Sequence, residues 1–190
     1  LSKGAQENIS VTVCGELNKG NFLKRGGAKE EDLIFLTGTL GQAKKGLEHI
    51  EKNIAQIDLS SSHVKKFLSP KLNFEFAKEI SSIASSCIDV SDGLISDLGH
   101  ILEASKVGGE INVEKIPLVG EVEDALTWGD DYELLLTTPL DQKKRLIEVS
   151  ERFDVGISEI GKITKEPNLR VIKKGSLISF PKSGYNHFNE

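Results

Sequence analysis

Apolar and polar residues alternate strictly over residues 7–17, with Ile9, Val11, Val13 and Leu17 on one face and Ser10, Thr12, Cys14 and Glu16 on the other. A period of two predicts a half-buried strand, and nothing adjacent offers it a hairpin partner, so its partner is expected elsewhere in the protein or in another subunit. The apolar run at 33–37 predicts a short buried strand, which Gly38-Thr39-Leu40-Gly41 turns into a helix through about Ile50. Residues 58–71 read as a Ser-rich polar connection closed by Pro70. Leu72, Phe76, Ile80, Ile83, Ala84 and Cys87 then recur at helical spacing and deliver the chain to a short strand ending at Cys87, Ile88 and Val90. Leu94, Ile95, Leu98, Ile101 and Leu102 restore the helical period, and Gly108-Gly109 is expected to stop that helix.

Strands are predicted at 110–113, 132–138 and 157–163, an amphipathic helix at 140–153 with Leu146, Val149 and Phe153 inward, and a hairpin of 169–172 with 177–180 around Lys173-Lys174-Gly175. The order of elements predicts class α+β, a mixed sheet with helices packed on it, preceded by a strand left from another domain.

Composition changes this picture in three places. A net charge of −5 with 28% charged residues describes an ordinary globular chain, and the Lys pairs at 44–45, 65–66, 143–144 and 173–174 are scattered among acids, so no nucleic-acid partner is expected. No apolar run has membrane-spanning length, and Cys14 and Cys87 lie far apart in apolar contexts, which suits small buried thiols in a cytoplasmic protein better than a disulfide framework. The chain starts at Leu1 and holds no Met, so it is expected to be part of a longer protein.

Candidate chemistry concentrates at Asp89-Val90-Ser91-Asp92-Gly93, where a strand hands over to a helix. Helix amides and the macrodipole there can hold a phosphate, and the carboxylates can hold its metal. Ser and Asp are equally the preferred residues for capping a helix, so this turn in isolation reads first as a cap. A second acidic turn, Gly129-Asp130-Asp131, leads into the strand at 132–138 and repeats the theme. Arg25 beside Gly26-Gly27 is a candidate phosphate donor on an open loop. The stretch GTLGQ at 38–42 lacks the Gly-Lys-Ser/Thr ending of a P-loop, and its glycines read as turn residues.

Residues 89–94, DVSDGL, taken with 128–134, WGDDYEL, resemble the thiamine-monophosphate kinases, a family in the superfamily that includes aminoimidazole ribonucleotide synthetase. ISVTVCGEL at 9–17, RGGAK at 25–29 followed by DLIFLTGTLG at 32–41, and GYNHF at 184–188 appear in the family's order and extend the resemblance over nearly the whole chain. The resemblance implies transfer of the terminal phosphoryl group of ATP to thiamine monophosphate with Mg2+, in a homodimer whose N-terminal domains share a barrel. It implies that residues 1–22 are the remnant of that ATP-binding and dimerisation domain and that residues 23–190 are the C-terminal domain, inactive alone. It further implies Asp89 and Asp92 as magnesium ligands, Arg25 and Ser91 as ATP contacts, and Asp130 and Tyr185 as substrate contacts. This chain departs from the family at 128–131, where WGDD replaces GGED.

Phosphoryl transfer needs charge neutralisation and in-line alignment more than a covalent nucleophile, so carboxylates for a hard cation, an arginine and a flat aromatic surface form a coherent set. Two alternatives stand beside it: another ATP-dependent member of the superfamily with a different acceptor, and a non-catalytic dimerisation or binding module whose acidic turns are only caps.

Overall fold

The computed structural model describes residues 10–16 and 22–180. Seven strands form one mixed sheet: β1 (Leu33–Thr37), β2 (Ser86–Asp89), β3 (Gly108–Asn112), β4 (Leu134–Thr138), β5 (Ile157–Thr164), β6 (Leu169–Lys173) and β7 (Ser176–Ile178), in the spatial order β2-β4-β1-β5-β3-β6-β7. All neighbours are antiparallel except β3 and β6. The α+β expectation therefore holds.

Helices cover both faces of this sheet. Successive side chains in a strand point to opposite faces, so Ile34 and Leu36 of β1 lie in one apolar cluster and Phe35 in the other. The first cluster gathers Ile88, Leu135 and Ile111 against Leu94, Leu98 and Ile101 of α4 (Leu94–Ser105). The second gathers Leu136 with Phe76 and Ile80 of α3 (Phe74–Ile80) and with Leu146 and Val149 of α6 (Lys143–Arg152). Burial on both faces is why β1 reads as an uninterrupted apolar run and not as an alternation.

Three expectations shift. The polar connection at 58–71 contains a helix, α2 (Ser62–Leu68), packed on α1 (Gln42–Lys52) with Val64 as its buried residue; one apolar anchor in seven leaves too little periodicity to read. The helix leading to β2 is shorter than its apolar spacing, because Leu72 is exposed and Ile83 is buried from the turn that follows α3. Helix α4 is stopped by Lys106 in the left-handed conformation, with Val107 N–H donating to the Leu102 carbonyl at 3.1 Å, and both glycines at 108–109 belong to β3. A short helix that the pattern did not indicate, α5 (Val122–Thr127), precedes the second acidic turn.

Of the strand expected over residues 7–17, residues 10–16 are described, and none of them pairs with the sheet. Val11 and Val13 stand 79% and 87% exposed, so the predicted half-buried face has nothing to bury against among the described residues, and Cys14 is exposed where a small buried thiol was expected. Alternation specifies a face; it does not supply the neighbour that covers it.

Candidate functional site

Strand β2 lies at one edge of the sheet and pairs with β4, with Asp89 opposite Leu134. The pairing continues past both strands: Val90 N–H donates to the Glu133 carbonyl at 2.8 Å, Tyr132 N–H to the Val90 carbonyl at 2.9 Å, and Asp130 N–H to the Ser91 carbonyl at 3.0 Å. These three bonds lay the two acidic turns side by side. The approach is so close that a Cβ on Gly129 would sit 1.6 Å from the Ser91 carbonyl oxygen.

The side chains of the first turn are not spent on capping. Helix α4 has Gly93 at its N-cap with no side-chain bond, and Asp89, Ser91 and Asp92 make no side-chain hydrogen bond or ion pair among the described residues. Asp97, within the helix, instead closes the turn that precedes it: its buried carboxylate accepts the backbone N–H groups of Ser91 and Asp92, each at 3.0 Å. Burial pushes the Asp97 carboxyl above its ordinary value, and the charges of Asp92 and Asp89 push the same way while the two amide bonds oppose them. The turn amides at 91–92 are therefore satisfied by protein, whereas the first turn of α4 carries no side-chain cap among the described residues.

The same substitution occurs at the other glycine turn. Asp131 is fully buried and accepts Gly41 N–H at 2.6 Å and Ala43 N–H at 2.9 Å, so the N-terminus of α1 carries a protein carboxylate where a phosphate loop would carry a ligand. This agrees with reading GTLGQ as a turn. Adjacent acids thus part company: Asp131 points inward as a cap, whereas Asp130, with φ of 65°, stays on the outer side next to Ser91.

Tyr132 belongs to this corner although the sequence reading treated it as the first residue of a strand. It lies outside β4, has φ of 49° and is 37% exposed. Partial burial raises its phenol pKa, and the charges of Asp130, Asp89 and Asp92 add to that rise. The only sequence signal was its position straight after the adjacent acids. His100 was also missed: one donor atom from each of Asp92, Asp97 and His100 lies within 4.8 Å of the others, and the Asp-x-x-His spacing on one helix face was the signal.

Arg25 lies on a loop that is held at two places. Gly27 and Ala28 N–H groups both donate to Ser105 Oγ at 3.1 Å, and Cys87 N–H donates to the Lys24 carbonyl at 2.9 Å. The loop is thereby tied both to the C-terminal end of α4 and to β2, the strand that ends at Asp89, and the exposed Arg25 side chain makes no hydrogen bond or ion pair among the described residues. Tyr185 lies outside the described residues.

The set of free groups at the corner is hard and anionic: two carboxylates from the first turn and one from the second. Such donors suit Mg2+, which prefers oxygen ligands and binds through one or two carboxylates plus phosphate oxygens and water.

Residues 29–174 match the family described as AIR synthase related protein, C-terminal domain. The chain is 36% identical over 194 residues to a thiamine-monophosphate kinase of Buchnera aphidicola subsp. Schizaphis graminum, an alignment that covers 95% of this chain and 60% of that protein. It spans 60% of the length of several further curated relatives that carry the same description, from Salmonella typhimurium and Escherichia coli among others. A crystal structure of thiamine-monophosphate kinase from Stenotrophomonas maltophilia K279a superposes with a TM-score of 0.76 at 30% identity, over 84% of this chain and 56% of that one. AaThiL complexed with AMPPCP and TMP superposes with a TM-score of 0.72 at 29% identity, over 87% of this chain and 54% of that one.

Proposed function

Because this chain belongs to the AIR synthase related family, C-terminal domain, we propose that the protein it forms part of phosphorylates thiamine monophosphate from ATP, giving thiamine diphosphate and ADP. The observation that carries the reading is the pairing of residues 90–91 with 130–133, which gathers Asp89, Asp92 and Asp130 at one corner while Asp97 and Asp131 are engaged by backbone amides. The similarity to thiamine-monophosphate kinases, and to a structure holding an ATP analogue with TMP, supports this choice of donor and acceptor.

In this reading Asp89 and Asp92 would hold Mg2+, which when bound neutralises the charge of the phosphate oxygens. Ser91 and Arg25 contact ATP, and Asp130 and Tyr185 contact the acceptor. The reaction moves the terminal phosphoryl group from the ADP oxygen to a phosphate oxygen of thiamine monophosphate, so one P–O bond breaks as another forms. With the Ser91 and Asp92 amides taken by Asp97, the turn itself contributes carboxylates and side-chain donors to holding the triphosphate. Tyr132 offers a ring face beside three negative charges, a setting that favours the cationic thiazolium of the acceptor. Exposed Val11 and Val13 support residues 1–22 as the edge of a separate domain that pairs in a homodimer.

The test is ATP-dependent formation of thiamine diphosphate by the full-length protein and its Asp89→Asn variant. A loss of about 100-fold in kcat, equivalent to about 2.7 kcal/mol, is the expected result. Undiminished turnover in the variant removes the metal role, and no turnover of thiamine monophosphate by the parent protein removes the proposed acceptor.

A further inference from the structure

Within residues 130–133 the side chains face alternately outward and inward. Asp130 and Tyr132 form the corner, and each adopts the left-handed backbone region that residues with a Cβ rarely occupy. Asp131 and Glu133 are buried behind them. Something inward must hold two unfavourable backbone conformations in place. Asp131 does so through Gly41 and Ala43 N–H, as described. Glu133 is gripped on both oxygens: Lys66 Nζ of α2 lies 2.5 Å from Oε1, and Thr37 Oγ1 donates to Oε2 at 2.6 Å while accepting Leu134 N–H at 2.8 Å. Both partners of the ion pair are largely buried, and the Lys66 charge also acts on Asp131. A Cβ on Gly38 would lie 2.3 Å from a Glu133 carboxylate oxygen, so the fold reserves that space for the acid.

We propose that Lys66 and Glu133 are positioning residues: their buried ion pair holds the 129–133 turn in the backbone conformation that presents Asp130 and Tyr132 to the acceptor. The proposal rests on the function given above for the identity of that acceptor. It assigns a role in the reaction to α2, a helix that reaches the corner only through Lys66 among the hydrogen bonds of the described residues.

A single truncation leaves one charge buried without its partner and can unfold the protein, so the decisive variant removes both: Lys66→Met with Glu133→Leu. The full-length double variant is first shown to melt cooperatively. Backbone hydrogen exchange is then followed for the peptide spanning 129–133, and KM for thiamine monophosphate and for ATP are measured. We expect exchange of that peptide to quicken at least tenfold. KM for thiamine monophosphate should rise at least tenfold with KM for ATP changed less than twofold, and Lys66→Arg, which keeps the pair, should stay within twofold of the parent on all three. Unchanged exchange, or quickened exchange with an unchanged KM for thiamine monophosphate, overturns the proposal. If the parent protein does not phosphorylate thiamine monophosphate, the functional reading falls by itself, and the exchange result alone decides whether the pair holds the turn.

Discussion

The carboxylate of Asp97 sits six residues downstream of the amide of Ser91 and accepts its proton at 3.0 Å, closing the acidic turn from inside helix α4. This one bond, with its twin to the Asp92 amide, is what releases the side chains of the turn from structural duty. Replacing Asp97 by Ala leaves two amides without their acceptor, at a cost of about 1–3 kcal/mol. Urea unfolding of the Asp97→Ala variant should show that loss in the midpoint with an unchanged slope.

Gly129 is the point of closest approach between the two turns. A methyl group there would press on the Ser91 carbonyl oxygen and force the turns apart, so Gly129→Ala should separate Asp130 from Asp89 and Asp92. Turnover of thiamine monophosphate should fall at least tenfold in protein that is first shown to melt cooperatively, since the contact adjoins buried Val90. Parental activity in Gly129→Ala would show that the juxtaposition is not used.

Glu159 carries a pH dependence whose sign follows from its partners. The Lys143 ammonium, hydrogen-bonded at 2.6 Å, and Lys115 nearby hold its carboxyl below the usual value of 4.5. A depressed carboxylate adds stability that is fully present above its unfolded value and is lost as pH falls through the folded one. The pair is partly solvated, which limits the contribution to about 1 kcal/mol or less. Glu159→Gln should therefore lower stability at pH 6 by that amount and by progressively less below pH 4.5, as followed by denaturant unfolding at a series of pH values.

The two thiols should differ in reactivity. Burial, aided by the negative charge of Asp89, pushes the Cys87 thiol up to about 12, whereas Cys14 is exposed. At pH 8 an alkylating reagent should label Cys14 in the native protein and leave Cys87 untouched until denaturant is added. Rapid native labelling of Cys87 would show that the edge strand β2 opens readily.

Much of this protein was legible in its residues alone. Continuous apolar runs at 33–36 and 134–136 and the helical spacing from Leu94 to Leu102 specify β1, β4 and α4, because hydrophobic period is a local property that survives in one dimension. The acidic turn at 89–93 and its counterpart at 129–131 were likewise visible, as was the weakness of GTLGQ as a phosphate loop. Residue type by itself could not assign the carboxylates their duties. Asp97 looked like an ordinary helix residue and proved to hold the turn before its helix, Asp89 and Asp92 could have been caps or metal ligands and make no side-chain bond among the described residues, and Asp130 and Asp131 looked alike and face opposite ways. A side chain's role depends on which backbone amides stand within 3 Å of it, and those come from segments as distant as Gly41 and Asp131. Lys66 reached Glu133, and the two turns met, only once the sheet had closed, since a chain carries its periodicities within neighbouring residues but its chemistry in contacts between remote ones.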